Sequence, residues 1–383
     1  MEVLRGYRFR LYPNEDQEIL MIKTFGCSRY IYNYFLNEKA KYYQELGQTK
    51  SAYDCCKDIK ALSNEYPWLK EVDSCALRTA IFDLEDAFQR FFKKQGNYPK
   101  YKSKYYKNSY RTNNITSEYK GTIYNSIKLD LNKKEITLPK LKEVKIRGYR
   151  NLNTIKGRII NATISKENNR YYVSVCVDEP ITQTQPTGKG IIGIDLGIKS
   201  IVTTSDYEKY DNQKVTNKYE KKLAHEQRNL ARKVKGSKNY YKNKARINVI
   251  YRKMKNTRKY YLHQISKTLT DTYQVIVAET LKIKKMLQNS RLAKSIQDVS
   301  LYELIRQLEY KSRNKGIKFY QIDPYYPSSQ RCSHCGTINK EMKKLNKREY
   351  ECLECNNKLD RDYNAALNIM REGLDRYMAE LAI

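Results

Sequence analysis

The sequence predicts a multidomain α/β chain. A strand-rich first half, folding as a small β-barrel or sandwich, is interrupted by a helical block, and an α/β domain carrying a four-cysteine zinc segment follows. Three observations carry this. Short alternating segments recur over residues 109–180 and at the start of the chain. Buried apolar runs that end in acids, Gly190-Ile-Ile-Gly-Ile-Asp195 and Tyr273 to Glu279, alternate with helical patterns. Cys332-Ser-His-Cys335 and Cys352-Leu-Glu-Cys355 flank a sixteen-residue gap, the spacing of a four-thiolate zinc site.

Composition bounds the function. With 383 residues there is material for about two or three domains. Lys and Arg number 74 against 42 Asp and Glu, a net charge of +32, which favours a polyanionic partner. No apolar run approaches the ~18 residues that span a bilayer, and the first residues carry no signal-peptide core, so nucleic acid is the expected polyanion, at a cytoplasmic site. Tyrosine, at 36 residues, often lies beside Lys or Arg, a combination suited to stacking on bases. An AT-rich genome would enrich the same residues, so the tyrosines alone decide nothing. Cys27, Cys55, Cys56, Cys75 and Cys176 are odd in number and show no pairing framework, which reads as small core residues in a reducing compartment.

Taken in order, Tyr7-Arg-Phe-Arg-Leu-Tyr12 has the period of a strand with one basic face, ended by Pro13 and Asn14. Glu15 to about Leu46 is helical, and a second helix covers roughly Ser51 to Leu62. A third starts near Asp73 or Ser74, because Leu77, Ile81, Leu84, Phe88 and Phe91 form an apolar stripe that belongs to a core. From Lys93 to Arg111 a basic, Tyr-rich loop is expected to meet phosphate. Five strands follow, around residues 127–131, 135–138, 144–147, 159–164 and 171–177. The first strand completes their sheet, which makes the helical block an insertion. Residues 182–188 are polar and read as a linker.

Beyond it, the strand ending in Asp195 is followed by another near Ser200 to Thr204. Lys221 to Lys259 holds fifteen Lys or Arg and one acid, Glu226. A solvated helix would mix signs, so this stretch reads as a helix pair lying against nucleic acid. The strand Tyr273 to Ala278, a helix from about Val299 to Gly316, the strand starting at Lys318 and a terminal helix complete the order.

That order, with acids on the first strand, a later strand and the last helix, is expected of an RNase H-like nuclease. Two divalent ions about 3.5–4 Å apart need hard carboxylate oxygens that leave positions open for water and phosphate. Asp195 could be mere turn chemistry, Glu279 alone is a weak signal, and one of Asp360 and Asp362 is expected to cap the last helix. His334, between the cysteines, reads as a surface residue.

At these motifs the chain resembles the TnpB family, also called OrfB, of RNA-guided nucleases encoded by bacterial insertion sequences, relatives of the compact type V CRISPR effectors. The resemblance runs nearly end to end. It rests on Tyr7-Arg-Phe-Arg-Leu-Tyr-Pro13 with Gln17, Ser28-Arg-Tyr-Ile-Tyr-Asn33, Tyr98-Pro-Lys-Tyr-Lys-Ser103 and Gly193-Ile-Asp-Leu-Gly-Ile-Lys-Ser200. Most specific are Pro327-Ser-Ser-Gln-Arg-Cys-Ser-His-Cys-Gly336, Arg348-Glu-Tyr-Glu-Cys352 and Asp360-Arg-Asp-Tyr-Asn-Ala-Ala-Leu-Asn-Ile369. Ala278-Glu-Thr-Leu281 departs from the family, which usually has another acid between Glu and Leu.

The resemblance implies a wedge β-barrel domain over 1–12 and 100–182, with a helical recognition insertion at 13–99 and a linker at 183–188. It also implies a RuvC-like (RNase H-like) nuclease domain over 189–326 and 359–383, with a zinc ribbon inserted at 327–358. Asp195, Glu279 and Asp362 become the metal-binding triad for Mg2+, two ions, with Mn2+ as the substitute. Cys332, Cys335, Cys352 and Cys355 hold one structural Zn2+. Contacts to nucleic acid are assigned to Arg8, Arg10, Arg29, Lys100 and Lys102, and to Arg232, Lys233, Arg246, Arg252, Lys253 and Arg348. The implied partners are a structured guide RNA from the element's end and double-stranded target DNA beside a short motif, with no membrane and no small-molecule substrate. The implied location is a bacterial or archaeal cytoplasm, on the nucleoid when bound.

Three rivals stand beside this reading. A guided repressor that does not cleave would lose the acids, whereas all three are present. A transposase acting directly would need another acid order, or a Tyr nucleophile beside paired histidines, and the chain has three dispersed histidines. A compact type V CRISPR-associated nuclease is scarcely separable by protein sequence.

Overall fold

The computed structural model describes residues 2–105, 107–119, 122–148, 155, 157–180, 188–343 and 347–381. Most of the expected 183–188 linker lies outside them. The chain forms two compact units, Met1–Ile181 and Thr182–Ile383.

In the first unit, strand β1 (Glu2–Tyr12) leads into helices α1 (Glu15–Leu46), α2 (Ala52–Glu65) and α3 (Ser74–Phe92). Strands β2 (Asn108–Asn113), β3 (Thr116–Tyr119), β4 (Thr122–Asn125), β5 (Lys128–Asp130), β6 (Glu135–Leu138), β7 (Lys142–Arg147), β8 (Arg158–Glu167) and β9 (Arg170–Pro180) follow. Seven of them form one sheet in the order β2-β8-β9-β1-β7-β6-β5, while β3 and β4 make a separate hairpin. β1 pairs antiparallel with both β9 and β7, so the first strand joins strands more than 130 residues later in the chain. Its alternation explains its place: Tyr7, Phe9 and Leu11 enter the core with Val173, Val175 and Val177, while Arg8 stays exposed, 4.2 Å above the Tyr172 ring.

Asn14 and Gln17 form a reciprocal capping box that starts α1, and the Gln17 amide donates to Leu141 O and Glu143 O at 3.1 and 2.8 Å. Asp73 caps α3 through the Cys75 amide. Of its apolar stripe, Leu77, Ile81 and Leu84 are buried, but Phe88 and Phe91 are half-buried and stack edge-on against Tyr98. The stripe therefore reaches the edge of the helical core in its last two turns, Phe88 still packing against it. The expected basic loop is shorter than its sequence suggests, because residues 108–111 belong to β2. Cys27, Cys55 and Cys75 are buried and Cys56 and Cys176 half-buried, all as free thiols.

The second unit contains β10 (Lys189–Leu196), β11 (Ser200–Thr204), β12 (Lys209–Asp211), α4 (Val215–Ala231), α5 (Lys238–Thr272) and β13 (Tyr273–Ala278). Then come α6 (Ile283–Met286), α7 (Ser290–Val299), α8 (Leu301–Lys315), β14 (Lys318–Gln321), β15 (Glu349–Glu351), β16 (Lys358–Asp360) and α9 (Arg361–Leu381). α6 is a single short turn, whereas α7 carries a helical signal that the sequence reading passes over, Leu292, Ile296 and Val299 at steps of four and three.

The sheet order is β12-β11-β10-β13-β14, with β10, β13 and β14 parallel. Alternate residues of β13 face opposite layers: Ile276 and Ala278 meet Leu262 and Leu269 of α5 and Leu304 of α8, whereas Val275 and Val277 meet Ile369 of α9. Glycines let α9 come close. A Cβ on Gly193 would lie 2.2 Å from Ala366 O, and one on Gly373 2.2 Å from Val277 Cγ2. Among the described residues, no helix is long and apolar enough to cross a membrane.

Candidate active site and metal centre

β10 and β13 run parallel with Ile194 opposite Ala278, so Asp195 and Glu279 are the next residues, side by side at the carboxyl ends of neighbouring strands. That edge is where open α/β sheets place their ligands. The Leu196 amide donates to Glu279 Oε1 at 3.2 Å. The third acid comes from the far end of the chain. β16 runs straight into α9, and Asp360 accepts from the Asp362 and Tyr363 amides, both at 3.1 Å, capping the helix. The capping role thus falls to Asp360, which also pairs with Lys209 at 2.8 Å. Asp362 is left to line a cleft of about 690 Å3 with Asp195, Glu279, Lys199, Arg348 and Arg361.

Electrostatics separate the acids. Asp195 is only partly accessible and densely surrounded. Burial, and then the charges of Glu279 and Asp362, push its carboxyl well above the usual range, against the pull of Arg361. Burial lifts Glu279 to about 7, opposed by the Leu196 amide and assisted by the charge of Asp362. For Asp360 burial also acts upward, but the Lys209 ammonium and the two helix amides outweigh it and hold the carboxyl below its ordinary value. Mutually repelling carboxylates in a shared cleft are what a hard divalent cation relieves, and their oxygens are the donors it prefers.

The Sγ atoms of Cys332, Cys335, Cys352 and Cys355 all lie within 4.8 Å of one another, the one such tight donor cluster among the described residues. Cys332–Cys355 and Cys335–Cys352 are 3.7 and 3.4 Å apart. A tetrahedral zinc with Zn–S bonds of about 2.3 Å requires edges of about 3.8 Å, so the donors fit. Each pair sits on a tight turn: Gly336 at φ +83° and Asn356 at φ +57° take left-handed conformations that let the amides of Cys332 and Cys352 bond to Thr337 O and Asn357 O at 2.8 and 3.0 Å. His334 is exposed and outside the cluster. The segment also has a small core, with Met342 and Tyr350 buried against the cysteines.

Sequence reading missed how this segment is fastened. Asn364 and Asn368, one turn apart on α9, are buried, and both side chains donate to Arg331 O at 2.7 Å. Asn368 also donates to Ser328 O at 2.9 Å, and the Ser333 amide donates to Asn364 Oδ1 at 2.9 Å. Arg371, on the next turn, reaches Ser333 O. The available signal was asparagines recurring at helical spacing on the same buried face of an amphipathic helix as Ala365 and Ile369. The helix that presents Asp362 is thereby bound to the turn that carries Cys332 and Cys335.

Of the cations assigned to nucleic acid, Arg348 is brought to the acids, 3.9 Å from Asp362. Arg232 and Lys233 are exposed where α4 ends, Arg246 and Lys253 are exposed on α5, and Arg252 is half-buried there. Arg258 on the same helix instead pairs with Asp298 at 2.6 Å. In the first unit Arg8 pairs with Glu167 at 2.8 Å, Arg10 lies 4.5 Å from the Tyr12 ring, Arg29 donates to Asn108 at 3.1 Å, Lys102 lies 3.7 Å from the Tyr32 ring, and Lys100 is exposed.

A relative from Streptomyces pristinaespiralis, named "Putative RNA-guided DNA endonuclease", is 33% identical over 381 residues, 97% of this chain and 90% of its own. A family described as "Probable transposase", of the OrfB type, matches residues 173–290. This chain belongs to the OrfB (TnpB) family. Residues 302–369 match a "Cas12f1-like, TNB domain", which spans the cysteine segment. Residues 1–48 match a "Helix-turn-helix domain", although here they form one strand and one uninterrupted helix. A second relative, "Putative RNA-guided DNA endonuclease InsQ" of Escherichia coli K12, is 29% identical over 97% of this chain and 93% of its own. The fold is similar to that of the protein in a Cas12f1-sgRNA-target DNA complex, with a TM-score of 0.58 at 15% identity over 96% of this chain and 99% of the other.

Proposed function

We propose that the chain is an RNA-guided DNA endonuclease encoded by an insertion sequence, acting on DNA in the cytoplasm of its host. It binds a structured guide RNA derived from the element's end, reads a short motif beside the target and cleaves guide-complementary double-stranded DNA. In this reading the second unit is the RuvC-like nuclease, with the cysteine segment as its zinc ribbon, and the first is the wedge barrel with its helical recognition insertion. The observation that carries it is the β10–β13 register, which sets Asp195 beside Glu279 in the cleft that Asp362 lines.

Asp195, Glu279 and Asp362 would hold the divalent ions, which supply an activated water and neutralise charge developing on the phosphate. The Leu196 amide keeps Glu279 turned toward its neighbour, Asp360 caps α9 so that Asp362 stays available, and Arg348 supplies a cation at the rim where the phosphate enters. The net charge of +32 suits a protein that holds two nucleic acids together.

The test is a supercoiled plasmid carrying the target and motif, incubated with Mg2+ and guide-loaded protein. Linear product from wild type, none from Asp195→Ala and equal guide retention by both are expected. Intact plasmid despite proven guide binding by wild type would defeat the reading and leave a guided binder in its place.

The match of residues 302–369 to a Cas12f1-like domain favours a second reading, a compact CRISPR-associated nuclease. Sequencing the RNA that copurifies with the natively flanked gene separates the two. One structured RNA running past the element's boundary supports the transposon reading, and many guides joined to a common repeat support the other.

A further inference from the structure

In the first unit, α1, α3, β2 and the loop before β2 enclose a pocket of about 230 Å3. Its space comes from Ala76 and Ala80, one turn apart on α3, whose methyl groups leave a gap facing α1. The walls are strongly basic: Arg29, Lys102, Lys107 and Arg111 against a single acid, Asp83. Asp83 is already engaged by Arg111 at 2.7 Å. The loop is pinned where it enters, since the Lys102 amide donates to Asn33 Oδ1 at 2.7 Å and Asn33 Nδ2 donates back to Lys102 O at 3.0 Å.

Two residues lining this pocket each carry a buried polar atom with no partner among the described residues, the hydroxyl of Ser28, a residue 6% exposed, and Nε of Arg111. Leaving such groups unmatched is costly. Lys102 itself is exposed, its ammonium 3.7 Å from the Tyr32 ring. Excess cations, an orphaned hydroxyl and an orphaned guanidinium N–H all ask for one acceptor-rich anion.

We propose that this pocket seats one phosphate of a nucleic-acid backbone together with its sugar. Arg29 and Arg111 would offer guanidinium N–H groups, Ser28 its hydroxyl and Lys102 its charge, fixing one nucleotide in register on the helical layer. The proposal deepens the nucleic-acid reading above and rests on it.

The probe is adenosine 3′,5′-bisphosphate, too small to span the diffuse basic surface, titrated by calorimetry into the full chain at low salt without added Mg2+. Saturable one-to-one binding is expected, about tenfold or more weaker in Arg29→Ala and severalfold weaker in Ser28→Ala, with unchanged melting of the Ser28 variant. Lys145→Ala, an exposed cation away from the pocket, should match wild type. Non-saturating binding, wild-type affinity in both pocket variants, or equal loss in Lys145→Ala would overturn the site. Inorganic phosphate competing as tightly as the bisphosphate would also overturn it, by assigning the pocket to the free ion. The 2′-deoxy analogue distinguishes sources: weaker binding points to RNA, equal binding to DNA. Because no cleavage is read, a protein that binds the bisphosphate yet never cuts defeats only the endonuclease reading, and a cutting protein that ignores the bisphosphate defeats only the pocket.

Discussion

The Leu196 amide donates to the Glu279 carboxylate across 3.2 Å, so the residue that follows the first acid on β10 holds the second acid at the end of β13. Two carboxylates more than eighty residues apart in sequence are thus set side by side by strand register, the second held by one backbone bond, while α9 brings the third from the far end of the chain.

Alanine at Asp195, Glu279 or Asp362 should lower plasmid cleavage by about a thousandfold or more without reducing guide binding, because in the proposed mechanism each removes an oxygen that would hold a divalent ion. Asp360→Asn, by contrast, keeps a capping oxygen and should retain most activity, losing about 1 kcal/mol or less of stability with the Lys209 ion pair. Rates measured in parallel on the four variants test this division between ligand and cap. Equal loss at Asp360 and Asp362 would contradict it.

Gly193→Ala would place a methyl carbon 2.2 Å from Ala366 O, so α9 must move off β10. A loss of about 1–3 kcal/mol or more is expected, read by urea denaturation, together with weakened cleavage. Gly190→Ala on the same strand has nothing within 4 Å of the new carbon and should unfold like wild type.

Zinc and its fastening are separable. Cys332→Ser with Cys335→Ser should release the metal, seen by elemental analysis, and unfold the segment. Asn364→Ala should keep one zinc per chain yet raise hydrogen exchange across residues 328–335, since it removes bonds to Arg331 O and the Ser333 amide but no thiolate. Zinc loss in Asn364→Ala would show that anchor and chelate form one cooperative unit.

His263 on α5 is held down to about 4, first by burial and then by the Lys311 and Lys259 charges, with Arg306 acting the same way and Glu303 opposing. Its unfolded value is about 6.5, so between these limits the unfolded chain binds more protons, and stability falls as pH drops from 6.5 toward 4. The loss should be roughly 1–2 kcal/mol after solvent screening. His263→Gln should flatten that part of the pH–stability curve, and an unchanged slope would place the titration elsewhere.

Much of the fold was legible because local patterns and packing agree. The alternation of Tyr7, Phe9 and Leu11, the stripe Leu77, Ile81 and Leu84, and the apolar runs before Asp195 and Glu279 each state which face is buried, and burial is what the fold enforces. α6 was not legible, being a single short turn, while α7 offered Leu292, Ile296 and Val299 at helical spacing; Phe88 packs at the edge of the helical core and Phe91 turns to Tyr98.

By itself the sequence determined the chemistry on offer: two acids at the ends of apolar strands and a third at the start of the last helix, four thiols at zinc spacing and a charge demanding a polyanion. Each depends on residue type and short spacing, which no distant contact alters. Only the tertiary structure decided which aspartate caps α9 and which faces the cleft, that Asn364 and Asn368 bind the turn of Cys332 and Cys335 to that helix, and that Ser28, Arg29, Lys102 and Arg111 share one pocket. Those relationships join segments dozens of residues apart, and strand register and helix packing, rather than local preference, set which atoms meet.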